Sequence, residues 1–348
     1  MYKVAILRDD QPDNSEKWEI ACNKFEVDFI SVNMLRSDWY ESIKSFAPDF
    51  CVCRPPGDLS VNKDIFDRKL YYLEKYDGLP CYPGYHEITI YENKAALAWF
   101  LKTNDIPHPE TFVTADETEA LDVINNLQYP VFAKTLIGAT GSGIKKINNK
   151  EEAESYVNKA FSTGIKRRYG PNRKTGNPGT WFKKALISPQ YLIKKLKIYH
   201  RNRSEVQKNV VLFQEYIEHD HEWRIARTGE SWFGYKKLKV DEMASGAKKF
   251  EYGAVPEELL TFTNELCKKH NFQFMAIDVF YDGKTILVNE LQTIFGHKSE
   301  AICYVDGKPG RYLNKNGKWL FEEGNFNTNE SFDLRLQTAI NLYQQSYL

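Results

Sequence analysis

The stretch that most constrains the fold of this chain runs from Tyr129 to Ile144, Tyr-Pro-Val-Phe-Ala-Lys-Thr-Leu-Ile-Gly-Ala-Thr-Gly-Ser-Gly-Ile. It opens with a short apolar run that reads as a buried strand and closes on Lys134. A loop with Gly138, Gly141 and Gly143 follows. Glycine lets backbone N–H groups approach an anion closely and turn toward it. A lysine just before such a loop supplies a point charge for phosphate. Strand, lysine, glycine loop, strand is not the strand-to-helix P-loop pattern. It is the layout of a nucleotide lid made from a hairpin. Glycine-rich hairpins also occur as bare turns, so the rest of the chain has to agree.

At 348 residues there is room for two or three domains. With 42% hydrophobic and 27% charged residues, a packed core is expected and global disorder is not. The formal net charge of +0 argues against nucleic acid as a partner of the whole chain. No run of about 18 apolar residues occurs, so no membrane span is expected. The apolar part of the N-terminus is too short for a signal peptide and reads as a first strand. Six cysteines are scattered, and only Cys51 and Cys53 are close. Two ligands do not make a zinc site. Both read as core residues, and a reducing cytoplasm is the expected location.

Residues 1–88 alternate apolar runs (Lys3–Leu7, Val27–Val32, Phe50–Cys53) with amphipathic stretches such as Glu16–Lys24 and Ile65–Glu74. That rhythm predicts a small α/β layer with a parallel sheet. Ligands of such sheets sit beyond the carboxyl ends of the strands. Arg54, directly after the third run, is therefore a candidate contact for a substrate carboxylate or phosphate; a solvated turn is the other reading. A second region, 89–208, opens with a helix over Glu92–Leu101 that carries Lys94 in its first turn. Asp116 and Glu119 have capping-box spacing for the next helix, and a further helix spans about Lys150 to Phe161. Within this region, residues 166–208 hold eight Lys and five Arg against Glu205 alone, a local net charge of +12. This basic, aromatic-rich insertion reads as a site for an anionic ligand or as a solvated segment. The third region, 209–348, holds strands over Val210–Ile217, Glu222–Ile225 and Trp232–Val240. A helix runs from Pro256 to about His270, a hairpin over Phe274–Tyr281 and Thr285–Glu290, and a last helix from about Ser331 to Gln345. Tyr304–Asn327 reads as a polar aromatic stretch.

Asp278 lies on one strand of the hairpin, Glu290 ends the other, and Gln292 is two residues beyond on the same side of an extended chain. Two carboxylates and an amide oxygen suit a hard cation such as Mg²⁺, which also takes phosphate oxygens. A satisfied polar group is the plain alternative for Asp278, but a buried carboxylate within Met275–Phe280 is costly without a partner.

The order Lys94, Lys134, glycine loop, Gln214-Glu215-Tyr216-Ile217, Glu222-x-Arg224, Asp278, Glu290-x-Gln292 resembles the ATP-grasp superfamily over roughly residues 85 to 300. It is nearest the ribosomal-protein glutamate ligase and glutathione synthetase types. The resemblance implies an ATP-grasp fold, α/β and α+β, behind a Rossmann-like N-terminal domain. It implies ATP and two Mg²⁺ ions as cofactors, with Mn²⁺ as a substitute. Lys94 and Lys134 would hold the α- and β-phosphates. The loop with Gly138, Thr140, Gly141, Ser142 and Gly143 would close over the β- and γ-phosphates. Gln214, Glu215, Tyr216 and Ile217 would form the hinge that binds adenine. Glu222 would bind ribose, with Glu218 as competitor, and Asp278, Glu290 and Gln292 would hold the metals. Arg224, Lys236 and Lys248 would face the γ-phosphate and the tetrahedral intermediate.

Two positions depart from the family. Gln292 stands where Asn is usual, and Ala276 stands where D-alanine–D-alanine ligases have Arg. The implied reaction joins a carboxylate to an amine through an acylphosphate. The Arg54 loop, the basic insertion and the Tyr304–Asn327 tail also resemble ATP-grasp proteins of bacterial surface-polysaccharide biosynthesis. That would make the donor an anionic sugar, with an anionic peptide fitting the same charges. A homodimer is compatible with this reading. The alternative from another class is a non-catalytic module that binds nucleotide or polyanion.

Overall fold

The computed structural model describes residues 2–10, 15–138, 143–167, 204–240, 243–244, 249–296, 299 and 301–347. The first sheet is parallel, in the order β2-β1-β3-β4, from β1 (Lys3–Arg8), β2 (Asp28–Asn33), β3 (Phe50–Cys53) and β4 (Cys81–Tyr82). Its helices are α1 (Glu16–Lys24), α2 (Trp39–Phe46) and α3 (Ser60–Lys75). The central strands are apolar throughout because both faces are covered. Ala5, Leu7, Cys51 and Cys53 pack with Ile43, Phe66 and Leu70 on one side. Val4, Ile6, Phe50 and Val52 pack with Trp18 and Ala21 on the other. All six cysteines are buried and free.

After a short α4 (Tyr85–Ile88) comes α5 (Lys94–Thr103). It starts later than the composition predicts because the Asn93 side chain accepts the Ala96 N–H at 3.1 Å and caps the helix. Next come β5 (Thr111–Thr114) and α6 (Glu117–Val123). Asp116 caps α6 through the Glu119 N–H at 2.9 Å. The capping box does not close, because the Glu119 carboxylate accepts the Thr114 hydroxyl instead. Then follow β6 (Val131–Lys134), β7 (Ile144–Ile147), α7 (Lys150–Phe161), the short pair β8 (Ile165–Lys166) and β9 (Val206–Gln207), and β10 (Val211–Glu215). The second sheet is antiparallel, β5-β10-β6-β7, and buries Val131, Ala133, Val211 and Phe213 against α6 and α7.

The third sheet contains β11 (His221–Thr228), β12 (Ser231–Val240), β13 (Met243–Ala244), β14 (Phe250–Glu251), β15 (Phe274–Tyr281) and β16 (Ile286–Gln292). It also takes in β17 (Tyr304–Val305), β18 (Lys308–Lys315) and β19 (Lys318–Glu323). Its main order is β16-β15-β11-β12-β18-β17. The Tyr304–Asn327 stretch thus extends this sheet rather than standing apart. Leu97 and Leu101 of α5 and Leu259 of α8 (Glu257–Lys269) share its core. The last helix, α9 (Phe332–Tyr347), leaves this sheet and closes the first one, placing Phe332, Leu336 and Ala339 against Val4, Ile6, Phe50 and Val52.

Candidate active site

The acidic wall is built by strand register. A two-residue turn, Gly229-Glu230, joins β11 to β12 and sets Thr228 opposite Ser231. Counting back from it puts Arg224 opposite Tyr235 and Glu222 opposite Lys237. On the other flank Arg224 lies opposite Asp278, Asp278 opposite Glu290, and Ala276 opposite Gln292. Side chains alternate across a strand, so Glu222, Arg224, Lys237, Asp278, Glu290 and Gln292 share one face. A bulge after Asp278 inserts Asn289 as an extra residue, a device common beside active sites. Asn289 donates to Glu222 Oε1 at 3.1 Å.

Asp278 is 0% exposed. Arg224 grips it in a fork, Nε to Oδ1 at 2.7 Å and Nη2 to Oδ2 at 2.8 Å. The same Nη2 donates to Gln292 Oε1 at 2.9 Å. Lys237, 4% exposed, bridges Asp278 Oδ2 at 2.7 Å and Glu222 Oε2 at 2.6 Å. Burial alone would raise the Asp278 carboxyl, but Arg224 and Lys237 outweigh it and hold it well below the usual carboxylate range. Burial likewise opposes the charge on Lys237, and Asp278 and Glu222 overcome it, so its ammonium titrates above the ordinary lysine range.

A lysine wall comes from β6 and α5. Lys134 ends β6 and donates to Gln214 Oε1. Lys94 opens α5 and donates to the Gly138 carbonyl at 2.6 Å. Both are half-buried and held by neutral oxygens. Burial, then the neighbouring Lys94 charge, lowers Lys134 to about 8. Burial also lowers Lys94, against the pull of Glu92 and Glu290. The Glu290 charge acts on Lys94, Lys134, Arg224 and Lys237 alike. The two sets of charges are therefore within electrostatic reach of one another. Just after β6, the Thr135 N–H donates to Gly143 O at 2.9 Å. A Cβ on Gly143 would overlap the Thr135 hydroxyl, so the backbone approach requires glycine.

The hinge segment links β10 to β11 between the second and third sheets. Gln214 is buried and also donates to Thr111 Oγ1 at 3.1 Å. Glu215 is exposed and accepts the Glu110 N–H at 3.1 Å. Tyr216 lies against Phe132, with Lys146 4.4 Å from its ring centroid. Ile217 is half-buried. Glu218 is exposed and binds Lys239 at 3.0 Å, whereas Glu222 is inside the acidic wall. Arg54 leaves the carboxyl end of β3, and its charge reaches Tyr91 and Arg335.

Lys236 is not brought to this face. It lies opposite Trp223, 5.4 Å from that ring, and pairs with Glu251 at 3.2 Å. Lys237 takes the inward position; the turn at Gly229-Glu230 was the signal that could have found it. Asn289 left no such signal, because it enters through a bulge. Lys248, Thr140, Gly141, Ser142 and residues 168–203 of the basic insertion lie outside the described residues.

Asp278, Glu290 and Gln292 offer oxygen donors on one sheet face, the donor type that magnesium takes, but among the described residues no group of three His, Cys, Asp or Glu is placed to hold a metal ion. The Asp278 carboxylate is paired with Arg224 and Lys237.

With parallel, lid and acidic-wall sheets in this arrangement, the chain has the ATP-grasp fold. The D-alanine–D-alanine ligase of Bacillus anthracis superposes with a TM-score of 0.53 over 99% of this chain and 99% of that one, at 12% identity. The RimK domain ATP-grasp protein of Sphaerobacter thermophilus does so with a TM-score of 0.50 over 84% and 92%, at 17% identity. In sequence, 122 residues, 34% of this chain, are 28% identical to the alpha-aminoadipate–LysW ligase LysX of Saccharolobus solfataricus. The match spans 44% of that relative's length. No protein-family model matches the chain. No helix among the described residues is long and apolar enough to cross a membrane.

Proposed function

We propose that this protein is an ATP- and magnesium-dependent ligase that joins a carboxylate to an amine. The observation that supports the reading is a set of charges gathered in one region. Two half-buried lysines bonded to neutral oxygens feel the charge of Glu290, which shares a sheet face with Asp278 and Gln292. The ligase names of LysX and of the D-alanine–D-alanine ligase support it.

In this reading Lys94 and Lys134 receive the α- and β-phosphates as point charges. Gly138–Gly143 covers the β- and γ-phosphates, Glu215–Ile217 takes adenine, and Glu222 takes ribose. A substrate carboxylate, held by Arg54, attacks the γ-phosphoryl group, giving an acylphosphate and ADP. The amine then attacks the acyl carbon; the C–N bond forms as the C–O bond to phosphate breaks. Magnesium held by Asp278, Glu290 and Gln292 supplies charge neutralisation on the phosphoryl oxygens. Arg224, which already touches Asp278 and Gln292, stands ready to follow the transferred charge. The local charge of +12 over residues 166–208 favours an anionic sugar or peptide as donor.

The test is ADP release from MgATP over a panel of carboxylates and amines, with Asp278→Asn and Glu290→Gln as controls. No MgATP binding by calorimetry, or turnover indifferent to both substitutions, would sink the reading. One observation favours a second reading, a nucleotide-binding module without turnover: both Asp278 oxygens are already paired with protein cations. Such a module would bind ATP equally with and without magnesium.

A further inference from the structure

One buried acid takes no part in the walls described above. Glu92 immediately precedes the Asn93 cap of α5 and is 8% exposed. Its backbone is left-handed, with φ +52°, a costly conformation for a residue with a Cβ. The loop after β3 makes room for it: a Cβ on Gly57 would come within 2.8 Å of the Glu92 Cγ. Glu92 therefore lies directly under the Arg54–Asp58 loop, at the carboxyl end of the first sheet, where α/β layers take their ligands.

Its Oε2 has no hydrogen-bond partner. Cations are near, but their hydrogen bonds run to other partners. Lys94 is held by Gly138 O, Lys63 by Asp67 and Ile88 O, and Arg167 binds Ile137 O and Asp58 O. The charges of Glu290, Lys94, Lys63 and Arg167 all act on Glu92, which puts it beside the metal carboxylate and the phosphate-facing lysine. A buried carboxylate oxygen left unmatched is costly. A cationic group brought against it would match it.

We propose that Glu92 is the docking group for the amine co-substrate, which it takes as a primary ammonium. This rests on the ligase reading and names the chemistry of its second substrate. The donor carboxylate is met by Arg54 on one side of the loop, and the ammonium by Glu92 beneath it. During amide formation the ammonium loses two protons, one to solvent and one on the departing phosphate. Burial and the Glu290 charge raise its carboxyl to about 7, against Lys94, Lys63 and Arg167, and in its ionised form Glu92 selects and holds the cation before that step. It is a specificity residue that touches substrate.

The experiment compares wild type with Glu92→Gln and Glu92→Asp. ADP release from MgATP is measured over a carboxylate panel, with either hydroxylamine, uncharged near neutral pH, or L-lysine as nucleophile. The ratio of the L-lysine to the hydroxylamine rate is expected to fall roughly 30-fold in Glu92→Gln. The change is carried by KM for L-lysine, and Glu92→Asp recovers part of it. A thermal melt of each variant checks folding. An unchanged ratio overturns the assignment, as does a shift in magnesium dependence without a shift in the ratio. A wild type that releases no ADP with either nucleophile overturns the ligase reading and the assignment together, which separates the two failures.

Discussion

The lysine pair and the acidic cluster solve the problem of holding charge in opposite ways. On the lysine wall, Lys94 and Lys134 lean on a carbonyl and an amide oxygen. Dipoles orient them without cancelling their charge, and burial makes that charge harder to keep. On the acidic wall, Asp278 and Glu222 are matched by Arg224 and Lys237 in a dry, fully bonded cluster. The lysines carry a charge that burial disfavours, whereas the acidic cluster meets its own charges. Under the proposed function the first group serves binding, while the second serves binding and stability at once.

The sharpest break in this comparison is Lys237→Met. It leaves Asp278 and Glu222 buried with one cation fewer, and should destabilise the protein by about 3–5 kcal/mol, read by chemical denaturation. If the melt barely moves, the acidic wall is not a structural cluster. Lys134→Met should do the reverse. Stability should hold or rise, because a buried ammonium is removed, while ATP affinity falls roughly 10- to 100-fold by calorimetry, the size of a lost bond to a charged group.

The third test is pH. Burial lowers Lys134 from 10.5 to about 8. ATP needs the ammonium, so affinity should weaken as pH rises through about 8, and Lys134→Met should flatten that limb. The linkage to stability has the opposite sense. With a folded pKa below the unfolded one, the contribution of Lys134 is fully present above about 10.5 and is lost as pH falls through about 8. The smallest effect is expected from Lys236→Ala. Its ion pair with Glu251 is partly exposed, so stability should change by under about 1 kcal/mol and ADP release should not change. A large loss of turnover there would return Lys236 to the site.

Much of this was legible in the residues. The alternation in residues 1–88, the Lys134 strand and the Asp278–Gln292 hairpin are local patterns, and local patterns survive folding. Lys237 was not legible by the same means, because Lys236 and Lys237 are adjacent and only register decides which points inward. Tyr304–Glu323 was not either: its strands lie toward the edge of the third sheet, where an exposed face allows polar residues. Glu92 shows the limit most clearly. It looks like an ordinary helix-leading acid until Gly57, distant in sequence, is placed above it.

The packing of α9 on β1 and β3 has a bearing on synthesis. Tyr2 and Gln344 share a hydrogen bond of 2.7 Å, and Phe332, Leu336 and Ala339 cover Val4, Ile6, Phe50 and Val52. A nascent chain would expose that apolar surface throughout translation of the intervening segments. A layer translated before the other two sheets is thus sealed only after both, and exposed apolar surface of that kind is prone to aggregation until it is covered.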